Sequence, residues 1–218
     1  MLTNITMVEN EHRQPAEDRF DPMGFMPEVD RAVGELLHTN TKVFIATTGA
    51  GAGITQLIWR TPGISQILVG TSFPYHRQEF QRFIGRELEG PYVSKEAAVA
   101  LATASYERAI KTEDSLSNLS IGVGLTAAVA TINQPSESRV VIAARTNEKL
   151  AVAFATMEKN YLDRVGEGGI NDLLALNMIL HIAGVRQISL PDLHLASQEI
   201  IDQNGKFIIN PKEELLTQ

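Results

Sequence analysis

The hydrophobic pattern divides this chain of 218 residues into segments of two different periods. Val29, Ala32, Val33, Leu36 and Leu37 form one apolar stripe at helical spacing, and Pro27 suits the first turn of that helix. Lys42 to Ala46 is a short apolar run rich in β-formers and predicts a buried strand. It enters a loop of small residues, Thr47 to Gly53, followed by a helix-like stretch to Arg60 that Thr61-Pro62-Gly63 ends. Gln66 to Ser72 predicts a second strand. Pro74 then opens a helix with Phe80, Phe83 and Ile84 on one face, stopped near Gly85.

Ser94 is a good N-cap for the longest clean helix, whose apolar side holds Ala97, Ala98, Leu101, Ala104 and Ile110. Leu119–Thr126, Arg139–Arg145 and Ala151–Met157 predict three more strands, the first two separated by a polar turn around Asn133 to Ser136. Asn171 or Asp172 is expected to cap a helix through Leu173, Leu176 and Ile179 that Gly184 closes. Beyond it, Asn204-Gly205 between Glu199–Ile201 and Phe207–Ile209 is a strong hairpin signal. Residues 1–26 show little periodicity and read as an arm. Strands alternating with helices predict an α/β layered fold, one domain with an appended tail.

Composition narrows the function classes. The chain is 44% hydrophobic, too apolar for a disordered protein. It has no cysteine, which excludes disulfides, thiolate metal sites and a cysteine nucleophile. The formal charge of −7 argues against nucleic acid or an anionic membrane as partner, because neutralising phosphates requires clustered Lys and Arg. No apolar run approaches the roughly 18–20 residues of a membrane span. Met1 to Phe20 carries charges of both signs and lacks the apolar core of a signal peptide, so a cytoplasmic protein is expected. His12, His38, His181 and His194 stand at no ligand spacing, and neither a metal nor a cofactor is expected. Glu113-Asp114 reads as part of a solvated loop.

The loop after the first strand is the candidate for chemistry. A strand feeding small residues and then a helix exposes backbone N–H groups and a positive helix end, which suits a phosphate. The glycines run Gly49-x-Gly51-x-Gly53, without the spacing of the dinucleotide fingerprint or the Lys-Ser/Thr of a P-loop. A tight strand-to-helix turn explains them equally and is the commoner case. Thr47 and Thr48 end the strand, where open α/β sheets place functional groups. A threonine hydroxyl there is either a nucleophile beside a base or a helix cap.

The succession of segments resembles the C-terminal domain of CinA proteins, the nicotinamide-mononucleotide amidohydrolases (deamidases), from about Lys42 to about Val185. The residues that carry the resemblance are IATTGAGAG and the Thr61–Ser65 turn, ILVGTSFPYHRQ, the helix start Tyr92 to Ala97, LSIGVGLTAAV, and the strand RVVIAA. It implies a three-layer α/β/α fold with a mixed, mostly parallel sheet. The chain would then divide into an N-terminal arm (1–26), a CinA-C-like domain (27–184) and a C-terminal hairpin-like extension (185–218). It also implies self-association as a homodimer or higher homo-oligomer, and a small ligand such as nicotinamide mononucleotide or another small nucleotide.

The departures from the family pattern bear on activity. The family loop ESCTGG carries a serine nucleophile; counting back from Pro62 places that serine at Thr48 and the preceding Glu at Thr47. The family's lysine base falls on Phe80, five residues after Tyr75. The TGIAGP segment becomes Gly124 to Val129, and the late arginine has Arg164 as its nearest counterpart. Phenylalanine accepts no proton, and positioned acid–base catalysis contributes typically about 10²–10⁴ in rate. The expectation is a catalytically impaired CinA-like protein, a pseudoenzyme acting as a binding, assembly or regulatory module. Its remnant site would be lined by Thr47, Thr48, Gly49, Gly51, Tyr75, Gly124 and Thr126. The alternative is an active amidohydrolase with Thr48 as nucleophile and Tyr75 or His76 as base.

Overall fold

The computed structural model describes residues 22–111, 119–129, 138–157 and 162–190, and the backbone of residues 195–202. In chain order the elements are α1 (Met26–Leu36), β1 (Thr41–Thr48), α2 (Ile54–Trp59), β2 (Leu68–Ser72), α3 (Arg77–Ile84), α4 (Lys95–Ala109) and β3 (Leu119–Ala128). They continue with β4 (Ser138–Arg145), β5 (Leu150–Met157), α5 (Arg164–Ile182) and β6 (Leu195–Asp202). The strands form one six-stranded sheet in the order β2-β1-β3-β4-β5-β6.

Helices cover both faces of this mixed sheet, so the three-layer α/β/α expectation holds. Side chains alternate between the faces of a strand, and the core divides accordingly. Val43, Ile45, Ile121, Val123, Leu125 and Ile142 pack with α1, α2 and α5. Ala46 packs on the other face with Phe80 of α3 and Leu101 of α4, and Val141 and Ala143 pack with Ala98 and Ala102.

The sheet is less parallel than the mostly parallel arrangement expected. β1 runs parallel to β2 and β3, whereas β3–β4, β4–β5 and β5–β6 are antiparallel. The physical reason lies in the connections. Only four residues, Thr146 to Lys149, join β4 to β5, and Thr146 N–H donates to the Lys149 carbonyl at 2.9 Å. A parallel pairing needs a crossover of a dozen residues or more.

Two helix starts also differ from expectation. The helix after β2 begins at Arg77, because the His76 ring nitrogen accepts from Gln78 N–H, so Pro74 lies in the loop before it. The last helix begins at Arg164, capped by Asp163, whose carboxylate accepts from Gly166 N–H at 2.9 Å. Asn171 and Asp172 therefore sit within α5, about two turns inside, and do not cap it. Gly166, Gly168 and Gly169 lower the helix propensity of that first stretch, and tertiary packing overrides it. Ser94 caps α4 as expected, accepting from Ala97 N–H at 3.1 Å.

Past α5, Asn177 donates to the Ile188 carbonyl at 2.9 Å and accepts from Ile188 N–H at 2.8 Å. Ile188 and Leu190 are buried in the core by this pinning. β6 then adds to the sheet edge. Residues 1–21, Glu113-Asp114, the Asn133–Ser136 turn, His194, and Asn204-Gly205 with Phe207–Ile209 lie outside the described residues.

The central contact is α4 on β3. A Cβ at Gly122 would lie 2.1 Å from Tyr106 N, and one at Gly124 would lie 2.3 Å from the Ala98 carbonyl oxygen. Backbone meets backbone there, and a side chain has no direction in which to yield. Gly124→Ala is expected to cost about 3 kcal/mol in urea unfolding, at the upper end of overpacking effects. Gly34→Ala, on α1 with open space around it, should instead stabilise by up to about 1 kcal/mol. Equal effects of the two variants would contradict this packing.

Candidate functional site

The two parallel pairings of β1 place its carboxyl end beside that of β3, with Thr48 in register with Thr126. Strand alternation sets both on the α3/α4 face, since Ala46 two residues before Thr48 packs with Phe80 and Leu101. Gly122 and Gly124 press successively on Tyr106 and Ala98, so the next residue on that face, Thr126, reaches toward the first turn of α4. Two hydroxyl-bearing residues thus stand one strand spacing, about 4.8 Å, apart at the positive end of a 15-residue helix. Thr126 is fully buried, and its hydroxyl has no hydrogen-bond partner among the described residues. An unmade bond at a buried hydroxyl costs roughly 1–3 kcal/mol.

The glycine loop is held by close approach. Gly49 has φ +85°, and a Cβ there would overlap the Ala127 carbonyl at 1.8 Å. Gly51, also at φ +85°, lies against the Leu125 methyls. At Gly53 a Cβ would meet Asp172 Oδ2 at 2.1 Å, and the Asp172 carboxyl accepts from the backbone N–H groups of Gly53 and Ile54. Burial pushes this carboxyl up from 3.8 to about 7, against the opposing pull of those two hydrogen bonds. The amides that would receive a phosphate are thus occupied by a side chain of the protein itself. Gly49 and Gly51 serve a tight strand-to-helix turn, and Gly53 makes room for the Asp172 carboxyl.

The segment after β2 lies at the same edge. Tyr75 is 71% exposed. His76 is exposed too, with Nδ1 engaged as the cap of α3 at 3.3 Å from Gln78 N. Glu79 pairs with Arg82 on the solvent side of that helix. Phe80 is 1% exposed, and its ring meets Tyr92 edge-on with centroids 4.8 Å apart. It fills the apolar cluster of Ala46, Leu88, Ala97 and Leu101. Among the described residues, no basic side chain hydrogen-bonds the Thr48 hydroxyl.

The structure therefore brings Thr48, Gly49 and Thr126 together. Thr47 is buried on the opposite face, its methyl 3.3 Å from where a Cβ on Gly51 would sit. Gly51 and Gly124 make close packing contacts, the first with Leu125 and the second with α4. Arg164 is exposed at the start of α5. Sequence reasoning missed Asp172, which it read as a cap. The signal that could have found it is Gly53 itself, where a Cβ would collide with the Asp172 carboxyl. Among the described residues, no group of three His, Asp or Glu side chains is placed to hold a metal ion. None of the described helices is long and apolar enough to cross a membrane.

Comparison with known proteins rests on structure. No protein-family model matches the sequence, and no curated protein matches it significantly. Among solved structures, the chain is similar to a competence/damage-inducible protein CihA from Agrobacterium tumefaciens. Their TM-score is 0.56 and identity 16%, covering 72% of this chain and 94% of that one. A competence-damaged protein (CinA) superfamily protein from Escherichia coli gives TM-score 0.54 at 12% identity, covering 78% and 94%. A competence or damage-inducible protein from Enterobacter asburiae gives 0.55 at 10%, covering 74% and 98%. At these identities the likeness is one of fold.

Thr126→Val removes the unbonded hydroxyl without changing side-chain shape. The free protein should be equally stable, or more stable by up to about 2 kcal/mol, in urea unfolding. A loss greater than 1 kcal/mol would mean that the hydroxyl is bonded in the folded chain.

Proposed function

We propose that this chain, a divergent CinA-like protein by fold, binds a small nucleotide at the carboxyl edge of its sheet without hydrolysing it. The observation that carries the reading is Phe80. Amide hydrolysis by a threonine needs a base to take the hydroxyl proton, since the hydroxyl's own pKa lies far above neutrality. The position at which the family resemblance puts that base is a phenylalanine, sealed into the core against Tyr92. His76 offers no ready substitute, its Nδ1 being committed to the first turn of α3.

Binding has independent support. The buried Thr126 hydroxyl lacks a partner among the described residues, Thr48 stands in register beside it, and the amino end of α4 favours an anionic group such as a phosphate. Nicotinamide mononucleotide, which carries a carboxamide at one end and a phosphate at the other, is the ligand that the family resemblance suggests. A pseudoenzyme of this kind would act by occupancy, as a binding or regulatory module, and the same reading includes self-association in the cytoplasm.

Incubation with nicotinamide mononucleotide should release no ammonia above a Thr48→Ala control, while raising the melting temperature of the wild-type chain. Thr126→Val should lose that thermal shift. Ammonia release that vanishes in Thr48→Ala would contradict the loss of catalysis and favour the amidohydrolase with Thr48 as nucleophile. Absence of any thermal shift at millimolar ligand would contradict binding.

A further inference from the structure

We propose that the carboxyl edge selects its ligand by a phosphate monoester, seated between Arg77 and Lys95 at the amino ends of α3 and α4, with the Tyr92 hydroxyl as a further donor. The inference rests on the reading of that edge as a nucleotide site. It adds which group of the ligand is recognised, and by which side chains.

Both helices open on a cation. Arg77 is the first residue of α3 and Lys95 the first of α4. The amino end of a helix carries a partial positive charge, so the dipole of each helix opposes the cation placed there. Glu79 and Glu96 stand in the same first turns, and Glu79 pairs with Arg82. Arg77 and Lys95 are both exposed, and neither forms an ion pair or donates a side-chain hydrogen bond among the described residues. A dianion between them would answer two cations and two helix ends together.

A chain of contacts ties these cations to the hydroxyls of the edge. The Arg77 guanidinium lies 5.8 Å from the centre of the Tyr92 ring, and that ring meets Phe80 edge-on. Tyr92 packs on the cluster that contains Ala46 and Ala97. Ala46 lies two residues before Thr48 on one face of β1, and Ala97 lies in the first turn of α4, two residues after Lys95. Arg77 is thus held through Tyr92 beside the helix turn toward which Thr126 reaches. The Tyr92 hydroxyl oxygen, like that of Thr126, is buried and without a partner among the described residues. Each hydroxyl can donate to a phosphate oxygen, and a monoester has oxygens enough for both hydroxyls and both cations. An uncharged carboxamide would leave Arg77 and Lys95 without a countercharge.

The test is isothermal titration calorimetry on the full chain near neutral pH with three probes. Nicotinamide mononucleotide and ribose 5-phosphate should bind within about tenfold of each other, and nicotinamide riboside, which lacks only the phosphate, at least about a hundredfold more weakly. Arg77→Met and Lys95→Met should each weaken the mononucleotide by about tenfold or more, and Arg77→Lys should restore part of the loss. Tyr92→Phe should weaken it about threefold to tenfold without lowering the melting temperature of the free chain, because that hydroxyl has no bond to lose. Equal binding of mononucleotide and riboside would overturn the phosphate seat and leave the nucleotide reading standing. So would mononucleotide binding that both Met variants leave unchanged, or that ribose 5-phosphate does not share. Binding of ribose 5-phosphate alone would keep the seat and contradict the nucleotide reading, and binding of none of the three would overturn both.

Discussion

The approach of α4 to β3 is the constraint from which the remaining geometry follows. Gly122 and Gly124 have no side chains, and the backbone of α4 takes their place against the sheet. That contact fixes the height of α4 and aims its amino end at Thr126. It also gives α3 a floor, because Phe80 packs with Ala97 and Leu101 on the flank of α4. β1 is aligned by its parallel register with β3, so Thr48 falls opposite Thr126. The glycine loop is placed in turn by its approach to Ala127. A side chain on either strand glycine would disturb the whole carboxyl edge, however remote it looked in sequence.

Much of the architecture was legible because the signals are local. Ser94 before a run of alanines around Leu101 marks a cap and an apolar face, and the structure places both there. Gly85 after an apolar stripe ends α3 in the left-handed conformation that such a position favours. Strand direction was less legible, since a buried strand reads alike whichever way it runs. The clue was the length of the connection at Thr146–Lys149, too short for a parallel crossover. The start of α5 was hidden by three glycines in its first two turns, whose tolerance depends on packing that no local pattern records.

The site shows the same division. Thr48, Gly49 and Thr126 could be placed from the order of segments, because strand ends gather at one edge of an α/β sheet. Asp172 could not, since its role depends on an element more than a hundred residues from the loop it touches. Thr47 was misjudged as a neighbour of Thr48, although adjacent strand residues point to opposite faces. Phe80 and Asp172 together describe how this edge differs from a catalytic one. An apolar ring stands where a base was expected, and an internal carboxyl occupies the amides that an external anion would use.

The central claim is that the edge formed by Thr48, Gly49, Thr126 and the first turn of α4 is a ligand site. Amide chemical-shift mapping on titration with nicotinamide mononucleotide tests it most directly. Saturable shifts confined to Thr48–Gly49, Thr126–Ala127 and Lys95–Ala98 are the predicted result. Shifts centred elsewhere on the chain, or none at millimolar ligand, would contradict it.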